Sequence, residues 1–328
     1  MSDTATLSRL FSSIEADVEL VDRTFQERAT SGLEILNSAA AHALSSPGKR
    51  LRTALTLLSG KMVTYHFERL LPLSVAFEMV HLSTLIHDDV IDTASTRRGI
   101  PTVNARYGDH IAILLGDYFF AKTAGLIADV EDFRIDRLFS DTVASVCEGS
   151  IIELMSARRL DLSMEAYLQR ISYKTAALFA ACCKGGATVG SASEEQIELL
   201  RQYGQSLGMA FQIVDDVLDY AGTELATGKP VGNDLCQGLV TLPLIYALQD
   251  ERNGQAEFIA RLLEAPEQHR EEIAEVVQWV NEGPAVDRAL ALAHEYAGQA
   301  REAITSFRPS STREVLEHVI DFVIARDR

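Results

Sequence analysis

Two acidic clusters of one pattern interrupt stretches of this chain that are otherwise apolar. Both read Asp-Asp-x-x-Asp, and they comprise Asp88, Asp89 and Asp92 in DDVID, and Asp215, Asp216 and Asp219 in DDVLD. In a helix, a step of four residues places Asp88 and Asp92 on one face, where two carboxylates repel each other unless a cation lies between them. Magnesium prefers oxygen ligands and is usually held by one or two carboxylates together with the phosphates of a substrate. The clusters therefore predict a site for magnesium and a diphosphate.

An acidic, solvated helix end is the alternative interpretation of either cluster. One copy alone is weak evidence, because short acidic motifs also arise by chance. The second copy lies within an apolar helical stretch, where charged residues are rarely buried without partners. If the two helices pack antiparallel or across a cavity, the face with Asp88 and Asp92 meets the face with Asp215, and metal ions and a diphosphate lie between them.

The spacing of apolar residues along the chain predicts helices. Only 8 prolines occur in 328 residues, and apolar side chains recur at intervals of three and four in Leu71 to Asp92 and Leu207 to Tyr220. Breaker clusters such as Gly185 to Ser193 are too short to be domain linkers. We therefore expect an all-α fold and one domain over residues 1–328. The last quarter, from about Asp250, has no concentration of reactive groups and is expected to be structural.

The charge balance excludes one class of partner. The net charge of -17 and the pI near 4.9 argue against nucleic acid, because a phosphate backbone demands a surplus of Lys and Arg. The first residues are acidic where a secretory signal is basic, so we expect a cytoplasmic protein. No run of about eighteen apolar residues occurs, so no transmembrane helix is expected.

Basic residues lie near the first acidic cluster in two groups. They are Lys49, Arg50 and Arg52 in GKRLR, and Arg97 and Arg98 in RRG. The neighbouring Gly48 and Gly99 allow the backbone to approach an anion, and arginine grips phosphate oxygens with two parallel hydrogen bonds. Solvated surface charge is the alternative for either group.

Five further polar residues lie where a binding partner or a role in the site is expected. Lys174 and Thr175 lie in the apolar run SYKTAALFAACC, so the ammonium needs a diphosphate or a carboxylate. Lys229 lies in the glycine-containing loop TGKPVGNDL, where it can fold over an anion. Gln212 lies three residues before Asp215, which predicts an amide on the metal-binding face. His81 is expected either to contact substrate or to be a semi-buried, hydrogen-bonded imidazole.

These motifs together resemble a known family. GKRLR, LIHDDVIDTASTRRGIPT, the KTA segment, FQIVDDVLD and GKPVGNDLCQGLVTLP closely resemble the motifs of the all-trans isoprenyl diphosphate synthases, in the same order. The resemblance runs from about Gly48 to Leu248. It implies a single large helical bundle around a deep central cavity, of the isoprenoid synthase type. It also implies a homodimer that couples isopentenyl diphosphate to an allylic diphosphate and releases an all-trans polyprenyl diphosphate.

The resemblance also assigns roles to single residues. Magnesium, three ions per active site, is expected on Asp88, Asp92 and Asp215, with Asp89, Asp216 and Asp219 supporting directly or through water. Isopentenyl diphosphate is expected on Lys49, Arg52, His81 and Arg98. The allylic diphosphate is expected on Arg97, Lys174, Gln212 and Lys229, with Thr175 beside the ionising carbon. Arg97, Lys174, Thr175 and Gln212 are thus the residues expected to act on the reacting groups.

The residues just before the first cluster bear on product length. In the family, the residues four and five before the first Asp decide whether the tunnel for the growing chain is blocked. Here they are Thr84 and Ser83, both small, so we expect a product of C20 or longer. Val80 and Phe77, one or two turns lower on the same helix, are candidates for the tunnel floor.

Two positions depart from the pattern of the family, and two rival interpretations remain. The family commonly has a second loop lysine where this chain has Leu239, which removes one phosphate contact, and its usual proline in the first arginine motif is Thr53. A class I terpene cyclase shares the helical fold but normally lacks a second Asp-Asp-x-x-Asp cluster. A non-catalytic subunit of a two-component prenyl synthase keeps the fold but loses ligands, whereas both clusters are complete here.

Overall fold

The computed structural model describes residues 7, 9–45, 48–222, 231–249 and 255–326, and these residues are predominantly helical. The helices are α1 (Glu15–Arg28), α2 (Glu34–Leu44), α3 (Leu51–Lys61), α4 (Phe67–Ile91), α5 (Val103–Tyr107), α6 (Asp109–Ala128), α7 (Phe133–Ser156), α8 (Met164–Ile171), α9 (Ala177–Val189), α10 (Glu194–Ala221), α11 (Asn233–Cys236), α12 (Leu242–Gln249), α13 (Gln255–Glu264), α14 (Arg270–Glu282), α15 (Ala285–Thr305) and α16 (Ser311–Ile324). Single 3₁₀ turns span Ser12–Ile14 and Pro266–Gln268, and a π-helical turn, Ser172–Ala176, joins α8 to α9. The prediction of an all-α fold is confirmed.

The apolar spacing located the two helices that carry the acidic clusters. The stretch from Leu71 to Asp92 belongs to α4, and the stretch from Leu207 to Tyr220 belongs to α10. The expected break at Gly185 to Ser193 is wrong in its first part, because α9 continues to Val189. A Cβ atom on Gly186 would lie 2.2 Å from the carbonyl oxygen of Thr56, so the glycine serves close helix packing rather than a turn.

A two-residue hairpin follows α4. Its strands β1 (Thr96–Arg97) and β2 (Ile100–Pro101) pair antiparallel, and Arg98 and Gly99 form the turn. Both turn residues have positive φ, 51° for Arg98 and 78° for Gly99, as a tight hairpin turn requires. Glycine accepts this conformation without cost, whereas the left-handed region costs an arginine roughly 1 kcal/mol. The hairpin therefore fixes the backbone of both arginines of the RRG motif.

The chain groups into two compact units, of which the first comprises Met1–Val143, Leu178–Gly204 and Ser306–His318. Within it, α4 packs along α6, and α1 and α3 pack against α4. The rings of Phe25 and Phe119 meet edge to face in its core, with centroids 6.1 Å apart. This unit contains the first acidic cluster and both arginine motifs.

The second unit comprises Ala144–Ala177, Gln205–Thr305 and Val319–Arg328. Its core is built from fully buried side chains of α8, α10, α12, α14 and α15, including Tyr167, Ile213, Leu244, Val280 and Ala289. It contains the second acidic cluster and the KTA segment. The expectation of one domain over residues 1–328 stays a prediction.

By length and composition alone, α4 and α6 are apolar enough to cross a membrane. The most apolar window of α4 has a mean hydropathy of 1.4 and is 61% buried, and that of α6 has 1.5 and is 39% buried. Core helices of soluble proteins pass the same test, so two such helices are weak evidence. In addition, α4 ends in Asp88 and Asp89, which hydrocarbon would not accept. The absence of a transmembrane segment stays a prediction.

Candidate active site

The first acidic cluster forms the end of α4, where its members have different surroundings. Asp88 is half-buried and Asp92 is exposed, one helical turn further on. Asp89 is only 4% exposed, and its Oδ1 lies 2.8 Å from both Nε and Nη2 of Arg97. Asn104 also donates a hydrogen bond to the Asp89 carbonyl oxygen. Asp89 therefore ties the hairpin to α4, and Asp88 and Asp92 stand at the more accessible side.

The two arginine motifs converge on His81. Burial, and after it the positive charges of Arg52, Arg98, Arg97 and Arg50, lower the pKa of His81 well below 6.5. The imidazole is therefore neutral at physiological pH. Burial and the neighbouring charges also lower the pKa of Arg98. Such a group of like charges is expected where an anion is to be bound.

Gly48 brings GKRLR next to the hairpin. A Cβ atom on Gly48 would lie 3.5 Å from Nη1 of Arg98, so the backbone and the guanidinium are in near contact. Arg52 lies with its guanidinium 4.8 Å from the centre of the Phe179 ring, which holds the side chain in one orientation. Lys49 is half-buried in the same segment.

Arg50, by contrast, is used inside the protein. It occupies a left-handed conformation with φ of 50° just before α3, and its Nε lies 2.7 Å from Oδ1 of Asp22. Its Nη1 lies 3.5 Å from Oε2 of Glu78, which is 5% exposed. Thr53 donates to Oε1 of Glu78 through both its amide, at 3.1 Å, and its hydroxyl, at 3.0 Å. A proline at position 53 has no N–H to donate, so Thr53 matches the buried carboxylate.

In the second cluster, Asp216 belongs to a hydrogen-bonded chain. The Thr175 hydroxyl donates to Oε1 of Gln212 at 2.7 Å, and Gln212 Nε2 donates to Oδ1 of Asp216 at 2.7 Å. The Tyr167 hydroxyl donates to Oδ2 of Asp216, also at 2.7 Å. The amide of Gln212 thus forms hydrogen bonds with both Thr175 and Asp216.

Asp219 binds backbone rather than side chains. Its carboxylate accepts the amide protons of Asn233, at 3.1 Å, and Asp234, at 3.0 Å, which are the first residues of α11. A carboxylate at a helix N-terminus satisfies amides that have no partner within the helix. Burial, and then the charge of Asp234, raise the pKa of both Asp216 and Asp219 above the usual range of a carboxyl group.

Sequence reasoning missed the buried cation beside this cluster, Arg170. Arg170 is only 3% exposed. Its guanidinium donates to the carbonyl oxygen of Val240 at 3.1 Å and lies over the ring of Tyr167. Its charge opposes the rise in the pKa of Asp216. The signal was present, because Tyr167, Arg170 and Ile171 share the apolar face of α8 at helical spacing.

Lys174 lies in the π-helical turn and finds a carboxylate. Its Nζ is 2.5 Å from Oε1 of Glu153 on α7, and the two side chains are 23% and 19% exposed. A Cβ atom on Gly149 would lie 2.4 Å from the amide nitrogen of Lys174, so only glycine permits this approach of α7. Glu153 was not identified from the sequence. Single π turns are frequent at functional sites.

The residues expected to set product length are largely inside the first unit. Ser83 is fully buried, and its hydroxyl donates to the carbonyl oxygen of Gly116 on α6 at 2.8 Å, so it takes part in helix packing. Thr84 is half-buried and bonds only within its own helix, to His81. Val80 and Phe77 are each 1% exposed. Thr84 is therefore the more accessible of the two small residues.

Two loop positions, 229 and 239, bear on the binding of phosphate, and the structure describes only the second. Lys229 lies outside the described residues. Leu239 is half-buried, and its amide donates to the carbonyl oxygen of Asp234 at 2.8 Å, just after Gly238, whose φ is 80°. The backbone of this turn is thus fixed to α11 without help from the side chain at position 239.

The carboxylates fit magnesium that is bound together with a diphosphate. Among the described residues, no group of three or more His, Cys, Asp or Glu side chains is placed to hold a metal ion. Asp88 and Asp215 are half-buried and Asp92 is exposed, whereas Asp89 and Asp216 are buried, so the first three are the more accessible oxygen donors. Magnesium is commonly held by one or two carboxylates, with substrate phosphates and water completing its shell.

An all-helical protein with acidic clusters at helix ends and arginines around a neutral histidine belongs to the class of helical enzymes that process diphosphate esters. Residues 33–280 match the family described as polyprenyl synthetase. The chain belongs to this family, which confirms the resemblance inferred from the motifs.

Individual relatives agree along nearly their whole length. The chain is 36% identical over 321 residues to heptaprenyl diphosphate synthase component 2 of Geobacillus stearothermophilus, covering 98% of this chain and 99% of the relative. It superposes with a TM-score of 0.94 on a polyprenyl synthase from Caulobacter crescentus CB15 in complex with calcium and isoprenyl diphosphate, at 33% identity and 98% coverage of both chains. A decaprenyl diphosphate synthase from Rhodobacter capsulatus gives 0.92 at 32% identity, with coverage of 98% and 99%. The fold is the all-α isoprenoid synthase fold.

The lowered pKa of His81 predicts a loss of stability in acid. Below pH 6.5 the unfolded chain protonates this histidine and the folded protein does not, so the free energy of unfolding falls as the pH falls, by up to about 1.4 kcal/mol per pH unit. His81→Asn removes this part of the slope. Urea unfolding at pH 7.5, 6.5 and 5.5 measures it, with exposed His294→Asn as the control. Equal slopes for His81→Asn and the wild type would contradict the assignment.

Because Glu153 is paired with Lys174, we predict that its carboxylate competes with the allylic diphosphate for the Lys174 ammonium. Glu153→Gln removes the competing charge, so we expect the KM for the allylic diphosphate to fall about three- to tenfold while kcat changes little, as is typical of one partly exposed pair. Steady-state kinetics with varied allylic diphosphate checks this. Glu148→Gln, an exposed carboxylate on the same helix, is the control. A raised KM for Glu153→Gln would show that Glu153 orients Lys174 instead.

Proposed function

We propose that this protein catalyses magnesium-dependent, sequential head-to-tail condensation of isopentenyl diphosphate onto an allylic diphosphate. The product is an all-trans polyprenyl diphosphate of C20 or longer. The observation that carries this proposal is the convergence of both arginine motifs on a neutral His81, in the unit that also holds Asp88 and Asp92. Arginines grouped around one uncharged imidazole match a ligand with several negative charges.

Isopentenyl diphosphate is assigned to Lys49, Arg52, His81 and Arg98. Arginine matches phosphate oxygens bidentately, and Arg52 is held in one orientation by Phe179. The neutral His81 adds a hydrogen-bond donor without a further charge. The fixed turn conformation of Arg98 reduces the entropy that is lost when it binds.

The allylic diphosphate is assigned to Arg97, Lys174, Gln212 and Lys229, with Thr175 beside the ionising carbon. Because the Thr175 hydroxyl donates its proton to Gln212, its oxygen keeps lone pairs for an electron-poor carbon. Gln212 is in turn fixed by Asp216. This chain of hydrogen bonds orients the two residues before any substrate arrives.

The reaction requires a leaving group, a carbon nucleophile and a base. Magnesium, when bound, neutralises the diphosphate that leaves. The allylic C–O bond breaks, the alkene of isopentenyl diphosphate forms the new C–C bond, and the proton lost from the adjacent carbon passes to the released diphosphate. The buried apolar side chains beside Thr84, such as Val80, exclude the water that would otherwise capture the cation.

A product assay tests the function. The purified protein is incubated with Mg²⁺, isopentenyl diphosphate and dimethylallyl, geranyl, farnesyl or geranylgeranyl diphosphate, and the products are sized. We expect elongation to C20 or longer, abolished by EDTA. A sole C15 product, or no elongation, would contradict the proposal. Consumption of the allylic substrate without isopentenyl diphosphate would indicate a cyclase.

A second candidate follows from one relative, whose name describes a component of a synthase. We infer that this chain instead acts alone as a homodimer in the cytoplasm, because both acidic clusters and both arginine motifs are complete. The same assay separates the candidates when light scattering accompanies it. Activity of a purified dimer supports the first, and inactivity of the pure chain supports the second.

Thr84 predicts the substitution that shortens the product. A phenylalanine at this half-buried position is expected to fill space one turn before Asp88 and to shift the main product by at least one C5 unit. Ser83→Ala, which removes only the hydrogen bond to Gly116, serves as the control and should leave product length unchanged. Thin-layer or liquid chromatography of the dephosphorylated products measures both. Unchanged lengths for Thr84→Phe would refute the tunnel assignment.

A further inference from the structure

An arginine from the last quarter of the chain lies on the second acidic cluster. Arg326, two residues beyond α16, forms an ion pair through Nη1 with Oδ1 of Asp215, and its guanidinium lies 4.5 Å from the centre of the Phe211 ring. Phe211 and Asp215 are one turn apart on α10, so they form one binding surface for the arginine. This contact places a residue of the last quarter beside the second acidic cluster.

Arg326 is mostly buried beside a carboxylate that is more accessible than itself. Its side chain is 13% exposed, and the side chain of Asp215 is 36% exposed. Yet Nε and Nη1 of Arg326 are buried, with no aligned hydrogen-bond acceptor among the residues that the structure describes. A structural arginine at this depth usually has its donors satisfied. The ion pair with Asp215 is therefore a close contact of charges without good hydrogen-bond geometry.

The partner, Asp215, is the carboxylate of its cluster that lies outside the internal network. Asp216 is held by Tyr167 and Gln212, and Asp219 is held by the backbone of α11. Asp215 is one of the accessible carboxylates that fit magnesium, the metal that the proposed function requires. A divalent ion at this carboxylate would stand within a few ångströms of the Arg326 charge, where like charges repel strongly in a partly buried site.

We propose that Arg326 is an electrostatic latch that occupies Asp215 in the ligand-free protein and must leave it when a divalent cation binds. This inference rests on the proposed role of Asp215 as a metal ligand. The arginine supplies the positive charge that Asp215 lacks without metal, and it lowers the affinity of that carboxylate for the metal. Metal binding consequently frees the segment that follows α16.

Direct measurement of metal binding tests the latch. Mn²⁺ is titrated into the full-length protein, alone and with inorganic diphosphate, and free Mn²⁺ is followed by electron paramagnetic resonance. Arg326→Met keeps the contact with Phe211 and removes the charge, so we expect about five- to tenfold tighter Mn²⁺ binding, the scale of one partly buried ion pair. Arg326→Lys, which keeps the charge, should stay close to the wild type.

The controls separate the latch from the proposed function. Arg301→Met breaks an exposed ion pair with Asp321, at 2.6 Å in the same unit, and should leave Mn²⁺ affinity unchanged. Asp215→Asn should weaken binding, and in this background Arg326→Met should have no further effect. Circular dichroism checks that each variant is folded.

Each outcome has a definite meaning. If Asp215→Asn leaves Mn²⁺ affinity unchanged, Asp215 is not a ligand, and both its proposed metal role and the latch are wrong. If Asp215→Asn weakens binding but Arg326→Met does not tighten it, the latch alone is wrong. Hydrogen exchange adds a second readout, because residues 321–326 should exchange faster in the wild type when Mn²⁺ and inorganic diphosphate are present. Unchanged or slower exchange there would overturn the release of this segment.

Discussion

The structure depends on how it holds carboxylates within apolar helices. An ionised carboxylate removed from water costs several kcal/mol unless it gains hydrogen bonds or a counter-ion. Asp89 meets this cost with Arg97, Asp216 with Tyr167 and Gln212, and Asp219 with two backbone amides. In these contacts the three carboxylates stabilise the fold. Each cluster thus contains buried residues that fix their surroundings and, beside them, residues that are more accessible.

The basic residues form the opposite arrangement, because several arginines lie near one histidine. Arg50 is neutralised by Asp22 and Glu78, and Arg97 by Asp89. Burial first, and then the charges of neighbouring arginines, lower the pKa of His81 and the pKa of Arg98. Under the proposed function, a bound diphosphate relieves the repulsion among these arginines. Such a local loss of stability accompanies affinity for an anionic ligand, as is common at functional sites.

The sequence predicts features that depend on neighbouring residues better than contacts between residues far apart in the chain. The helices carrying the clusters follow from apolar spacing, and the role of the arginine motifs follows from residue type and the resemblance. Which aspartate Gln212 bonds did not follow, because a residue three before Asp215 is also four before Asp216, and both steps return to one side of a helix. Gly186 looked like a breaker because its reason, the approach of Thr56, lies about 130 residues away. Arg326 was missed for the same reason, since no local pattern relates it to Asp215.

Two ion pairs are expected to lower the affinity for ligands in the same way. Lys174 rests on Glu153, and Arg326 rests on Asp215, so in each a group assigned to ligand or metal already has an internal partner. Such a partner stabilises the ligand-free protein, and by linkage the same free energy is subtracted from binding. A group without a partner would bind more tightly, but it would leave a partly buried charge unbalanced until ligand arrived. An enzyme that must release a long product after each cycle gains from the weaker option, because internal partners that return to their places help to displace the diphosphate and its cations.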